Sequence, residues 1–149
     1  MISLTFGQAR LIESLAKAAW PRECCGLLIG RCVDGAQIID EVRPCKNLLA
    51  DAQNDRFEID PQDRFDAMRQ ARSMGREILG HYHSHPNGVA APSKTDRDMM
   101  YEPDLIWLIA GVTGAGDCSL AAFRPNLDRE DFDPLRLVIK AADDQNCQP

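Results

Sequence analysis

The three histidines of this chain fall within five residues, at His81, His83 and His85. Imidazole is the commonest protein metal ligand, so the cluster points to a metal site. His83 and His85 stand one residue apart after the apolar pair Ile78-Leu79. On a strand both side chains leave the same face. His81 would share that face, yet it lies about 13 Å from His85 at ~3.3 Å per residue, and three imidazoles on one ion would strain the strand. A place beside the ligands, or facing substrate, is expected for His81.

Pro86, Gly88 and Pro92 force a loop, and Ser93-Lys94-Thr95-Asp96 reads as a helix start with Ser93 as cap and Asp96 in the first turn. The loop can fold Asp96 back toward the histidines. His83, His85 and Asp96 then supply two nitrogens and one oxygen, the three-ligand set of a catalytic zinc site with a fourth position for water. Zinc lowers the pKa of bound water to about 7, but amide hydrolysis also needs a group that moves protons. Glu23, acidic at the edge of the mostly apolar run 24–32, is the candidate general base, and Ser93 could donate a hydrogen bond to the oxyanion. Taken alone, Ser93 and Asp96 read first as a plain capping box, and Glu23 as readily as a surface carboxylate.

Around this stretch the chain supplies a frame. Thr5-Phe6-Gly7-Gln8 has the pattern of a capping box, followed at helical spacing by Ile12, Leu15, Ala16 and Ala19 until Pro21. The runs 24–32 and 36–42, joined at Asp34-Gly35, predict a β-hairpin. Residues 44–55 are a polar connection and 56–59 a short strand. Asp60 caps a second helix with Pro61 in its first turn, Phe65, Met68, Ala71 and Met74 on its apolar side, and Gly75 at its end. Residues 76–83 form the strand that delivers the histidines, 93–101 a short helix, and 105–110 (LIWLIA) a strand covered on both faces. After a turn at 113–117, strands are expected at 118–123 and 135–139, and the tail DDQNCQP is polar and frayed. This order predicts an α/β fold: one mixed sheet with helices packed against it, the histidine strand central and buried.

At 149 residues the chain is one domain, long enough to bury roughly 68 to 70% of its unfolded surface. The domain is expected to run over residues 1–140, with 141–149 as a polar tail. An apolar share of 44%, a charged share of 27% and a net charge of −6 describe a globular protein for which a phosphate-backbone partner is disfavoured. No apolar run approaches the ~20 residues of a membrane span and the amino terminus lacks a signal layout, so a cytoplasmic location is expected. The six cysteines then read as reduced residues, since adjacent Cys24 and Cys25 cannot readily pair and no secretion signal accompanies them.

Glu23 followed by Cys25-Gly26-Leu27-Leu28-Ile29-Gly30, then Gly80-x-Tyr82-His83-Ser84-His85-Pro86, six residues, and Ser93-x-x-Asp96 resembles the JAMM, or MPN-plus, zinc metalloprotease family. The likeness extends through RFEIDPQD and LIWLIA to cover residues 3–124. It implies that His83, His85 and Asp96 bind zinc, that Glu23 is the general acid/base, and that Ser93 stabilises the tetrahedral intermediate. It also implies a cytidine-deaminase-like fold. Members cleave peptide or isopeptide bonds at the carboxyl end of ubiquitin or ubiquitin-like proteins. The short bacterial-type members, which this chain is most similar to, act on small sulfur-carrier proteins with a Gly-Gly tail. A groove beside the metal, adding the tail to a sheet edge, would suit such a substrate.

Two other classes compete with this expectation. A metal-free binding module of the same fold would lack the ligands, all of which are present. A DNA-repair-associated zinc protein shares the HPNG and PSKTD segments, but the acidic charge argues against nucleic acid. A nucleobase deaminase is set aside because its H-x-E and P-C-x-x-C pattern is missing. The expected partner is a sulfur-carrier protein, with no membrane or nucleic acid; a homodimer is compatible with the sequence.

Overall fold

The Thr5 hydroxyl accepts the Gln8 amide at 3.1 Å while the Gln8 side chain accepts the Thr5 amide at 3.0 Å, and this capping box opens helix α1 (Phe6–Ala19). The helix buries Ala9, Ile12 and Ala16, the stripe its 3.6-residue period dictates. The computed structural model describes residues 1–50, 55–100 and 102–141. Its strands are β1 (Ile2–Thr5), β2 (Cys25–Val33), β3 (Ala36–Cys45), β4 (Glu77–His85), β5 (Ile106–Val112), β6 (Cys118–Asn126), β7 (Asp131–Leu135) and β8 (Leu137–Lys140). They form one eight-stranded sheet in the order β7-β6-β5-β4-β2-β3-β1-β8. β4 runs parallel to β5, β1 runs parallel to β3 and β8, and the remaining pairs are antiparallel.

The hairpin from β2 to β3 turns at Asp34 and Gly35, both at positive φ (49° and 79°), as a two-residue type I′ connection requires. β4 sits inside the sheet with β2 and β5 hydrogen-bonded on either side, so the histidine strand is central, as its sequence predicts. β4 therefore offers no open edge; among the described residues the edge strands of the sheet are β7 and β8.

Strand alternation divides the core. Tyr82, Leu28, Leu108 and Ala110 pack with Ile12 and Ala16 of α1 on one face. On the other, Leu27 and Ile29 pack with Ala67 and Ala71 of helix α2 (Pro61–Ser73), and Cys25, Phe57, Trp107 and Phe132 form a neighbouring apolar group. Helices thus cover both faces of a mixed sheet in a single α/β unit.

Four local expectations change. The buried stripe of α2 is Ala67 and Ala71, whereas Phe65 and Met74 are 49% and 58% exposed. Small side chains let this helix lie close on β2, and Phe65 instead sits under the Arg69 guanidinium at 5.8 Å. Residues 56–59 make only an isolated bridge between Asn47 and Ile59, because Phe57 turns inward to pack. Helix α3 (Lys94–Asp98) is a turn and a half that stops before Tyr101, which lies outside the described residues. β1 and β7 appear where no strand was expected. The tail from residue 142 also lies outside the described residues, and Cys24, Cys25, Cys32, Cys45 and Cys118 are free thiols. Among the described residues no helix is long and apolar enough to cross a membrane.

Candidate metal centre

Three elements meet on the α2 face of the sheet. β4 delivers His83 and His85 at its carboxyl end, α3 delivers Asp96, and the turn into β2 delivers Glu23. All four are buried, with Glu23 and Asp96 each only 3% exposed. Charged residues are almost never buried this deeply unless paired.

His83 and His85 point their Nε2 atoms at each other across 3.0 Å. Asp96 stands 3.2 Å from the His83 nitrogen and 3.0 Å from the His85 nitrogen. The Nδ1 of His85 faces the Val89 carbonyl at 3.0 Å. A carbonyl only accepts, so Nδ1 carries a proton; in the neutral ring, the form that takes a metal, Nε2 keeps its lone pair, and in the imidazolium it donates to Asp96. Lone pairs and a carboxylate that converge so closely repel unless positive charge lies among them. Ligand atoms on a tetrahedral ion with ~2.0–2.1 Å bonds stand about 3.3 Å apart, so these spacings fit a zinc ion. The Val89 contact is the outer hydrogen bond that fixes a metal-binding imidazole.

The groups around Asp96 set the direction of its carboxylate. The Ser93 hydroxyl accepts the Asp96 amide at 3.0 Å, and the Asp96 carboxylate accepts the Ser93 amide at 2.9 Å. This capping box aims the carboxylate back over the loop, toward the two histidine nitrogens. With its oxygen accepting, the Ser93 hydroxyl keeps its own proton for another acceptor. The loop lies tight on β5, where a Cβ on Gly111 would meet the Ala90 nitrogen and Gly88 oxygen at 2.6 Å. Gly88 takes φ +81°, and the Trp20 indole donates to the Pro86 carbonyl at 3.1 Å.

Burial and charge set the protonation states. Burial pushes Glu23 up to about 8, opposed by His85 and reinforced by the negative charges of Asp96 and Asp55. Burial would also raise Asp96, but hydrogen bonds with His83, His85 and the Ser93 amide hold it well below the usual carboxylate range. His83 is lowered by burial. At His85 burial is outweighed by Asp96 and Val89, and the pKa rises. The Oε1 of Glu23 is buried and makes no hydrogen bond within the protein. Glu23 also forms, with His83 and His85, a set whose ligand atoms lie within 4.8 Å of one another. Asp96 stands closer to the histidine nitrogens, at 3.0–3.2 Å.

His81 stays outside the cluster. Its ring centroid is 6.1 Å from that of His83 and 4.4 Å from that of Trp107, and burial pulls its pKa to about 3. Trp107, in the LIWLIA strand, packs on the same face as the histidines.

Three supporting residues escaped the sequence reading. Asn47, buried in the polar connection, donates to the Glu23 and Arg56 carbonyls at 3.0 and 3.2 Å and accepts the Leu49 and Glu58 amides at 3.0 Å each. All four of its bonds are made, which fastens the backbone of Glu23 to the 47–58 connection. Ser84, between the two histidines, accepts the Cys24 amide at 2.8 Å and donates its own amide to the Cys24 carbonyl at 3.0 Å. Glu23 is thereby locked in register with His83 and His85. Phe57 stacks on His83 at 4.4 Å. Asn and Phe in a turn-rich segment carry no spacing signal; only the tertiary contacts reveal them.

Comparison with known proteins bears on this arrangement. Residues 8–124 match the family described as prokaryotic homologs of the JAB domain. The chain is similar to a desampylase of Haloferax volcanii, 32% identical over 94 residues, a stretch that covers 63% of this chain and 66%, just under two thirds, of that protein. A solution structure of a Desulfitobacterium hafniense protein superposes with a TM-score of 0.82 at 31% identity, covering 95% of this chain and 94% of that one. A solved JAMM structure, described as a metalloprotease-like zinc site in the proteasome and signalosome, shares the fold at a TM-score of 0.51 and 19% identity, over 93% and 94% of the two chains.

Proposed function

The chain belongs to the prokaryotic homologs of the JAB domain, and from that membership we propose that it is a zinc-dependent isopeptidase or peptidase. Its substrate is the bond at the carboxyl-terminal Gly-Gly tail of a ubiquitin-like sulfur-carrier protein. Residues 1–140 form the catalytic domain in this reading. The observation that carries it is the convergence of His83, His85 and Asp96 within 3.0–3.2 Å beside the unpartnered Glu23 carboxyl. The likeness to a desampylase supports the substrate class.

His83, His85 and Asp96 would hold a zinc ion, which when bound would supply Lewis acidity toward the scissile carbonyl and would bring the pKa of water to about 7. Glu23 takes the proton of the attacking water and returns it to the leaving amine. Without a cation, burial keeps this carboxyl protonated at neutral pH; positive charge nearby favours its ionised form, so occupancy of the site and readiness of the base are linked. The free proton of the Ser93 hydroxyl serves the oxygen on which negative charge develops. Asn47 and Ser84 hold the Glu23 backbone so that its carboxyl meets that chemistry without rearrangement.

The test is incubation of zinc-loaded protein with sulfur-carrier proteins that bear short peptide or isopeptide extensions beyond Gly-Gly, followed by mass spectrometry. Release of the extension with a free Gly-Gly end, absent in Glu23→Gln, is expected. If every carrier stays intact, or Glu23→Gln cleaves as fast as the unaltered protein, the proposal is wrong.

A further inference from the structure

Beside the metal centre, on the same face of β4, lies an apolar cavity of about 170 Å³. Leu27, Phe57, Ile59, Met99, Leu105 and Trp107 line it. His81 closes the end toward the metal, edge-on to Trp107 with ring centroids 4.4 Å apart. Phe57 joins the cavity to the centre directly: it stacks on His83 at 4.4 Å and leans on His81 at 5.4 Å. At the outer rim Arg64 of α2 forks onto Glu102 with contacts of 2.6 and 2.5 Å, and Glu58 adds a further negative charge to the lining.

We propose that this cavity binds the side chain of the first substrate residue after the cleaved bond, and that it selects an aromatic or large aliphatic one. The inference rests on the Gly-Gly reading above. Size is the first argument, since an apolar cavity of about 150 Å³ accepts a benzene ring. Position is the second. The two residues before the bond are glycines with nothing to insert, and the residue before them begins roughly 7 Å or more away at ~3.3 Å per residue. The first residue on the leaving side is the nearest that carries a side chain, and the cavity shares the Phe57 wall with a ligand histidine. Chemistry is the third: the walls are mostly carbon, Arg64 is already held by Glu102, and Glu58 leaves the rim net negative, so burying a carboxylate there is costly.

Binding and cleavage together test this. Zinc-loaded Glu23→Gln protein is titrated with acetyl-Gly-Gly-Phe-amide and acetyl-Gly-Gly-Asp-amide, followed by NMR of the Trp107 indole and the Met99 methyl. The phenylalanine peptide should shift both signals and bind at least tenfold tighter. Leu105→Trp, which fills the cavity away from the metal, should erase the preference while zinc content stays unchanged. Equal affinity for the two peptides, or shifts confined to other residues, overturns the proposal, whether or not the filled variant folds. Carriers extended by Phe or Asp after Gly-Gly separate the two claims. Equal cleavage of both leaves the peptidase standing and removes the cavity's role. Cleavage of neither, with the phenylalanine peptide still seated against Trp107, removes the substrate reading and leaves the apolar binding site.

Discussion

Replacing Glu23 by glutamine keeps the shape of a side chain that is 3% exposed and removes its ability to ionise. In the metal-free protein the folded-state pKa is about 8 against an ordinary value of 4.5, raised first of all by burial. Below pH 4.5 the carboxyl is protonated in both the folded and the unfolded chain and costs nothing. As the pH rises the unfolded chain ionises while the folded one does not, so stability is lost progressively until the folded pKa is passed. At pH 7 the loss is roughly 2.5 pH units at 1.36 kcal/mol each, on the order of 3 kcal/mol. Metal-free Glu23→Gln should therefore melt above metal-free wild type by several degrees, about 6–12 °C for a chain of this size, and the gap should close near pH 4.5. The same substitution in the zinc-loaded protein should lower the cleavage rate by roughly 10²–10⁴ with zinc content unchanged. Differential scanning calorimetry of both proteins between pH 4.5 and 8 decides the point. A gap that is absent, or that does not vary with pH, refutes the burial of an ionisable carboxyl at this position.

Asp96→Asn should abolish stoichiometric zinc uptake, measured by elemental analysis after dialysis. Because the Asp96 pKa is depressed, its contribution to metal-free stability is present above pH ~4 and lost as the pH falls below it, so the mutant and wild-type melting curves should draw together in acid. Asn47→Ala leaves two carbonyls and two amides without their partner and should cost about 2–4 kcal/mol in urea unfolding, with a fall in activity because the Glu23 backbone is released. Ser93→Ala should lose about 0.5–2 kcal/mol of cap stability and roughly 10²-fold in kcat with little change in KM, while Ser93→Thr restores most of both; equal kcat for the alanine and threonine variants contradicts the hydroxyl's part in the reaction.

The parts legible in sequence were those written in local spacing. Alternation through His83 and His85, the Thr5-to-Gln8 box, the Asp34-Gly35 turn and the apolar β5 run each need only near neighbours to be recognised. β1 escaped because its four residues run straight into α1 and gain their strand character from β3 and β8, far along the chain. β7 escaped because Asp131, Asp133 and Pro134 hide a sheet-edge strand in turn-like composition. The second helix was found but its face was misread: hydrophobicity favoured Phe65 and Met74, whereas close packing on β2 selected Ala67 and Ala71. At the site, the residues expected to carry the chemistry lie together, while Asn47, Ser84 and Phe57, which hold them, depend on contacts between segments 24 to 60 residues apart.

Two carboxylates compete for the third place beside the histidines, and which one holds the ion is the centre of this account. A crystal structure of the zinc-loaded protein, with anomalous diffraction recorded at the zinc edge, tests it most directly. One ion is expected, bound by His83 Nε2, His85 Nε2 and an Asp96 oxygen, with the Glu23 carboxyl free to carry a proton. An ion held by Glu23, His83 and His85 with Asp96 turned away, or no anomalous peak among these residues, would contradict it.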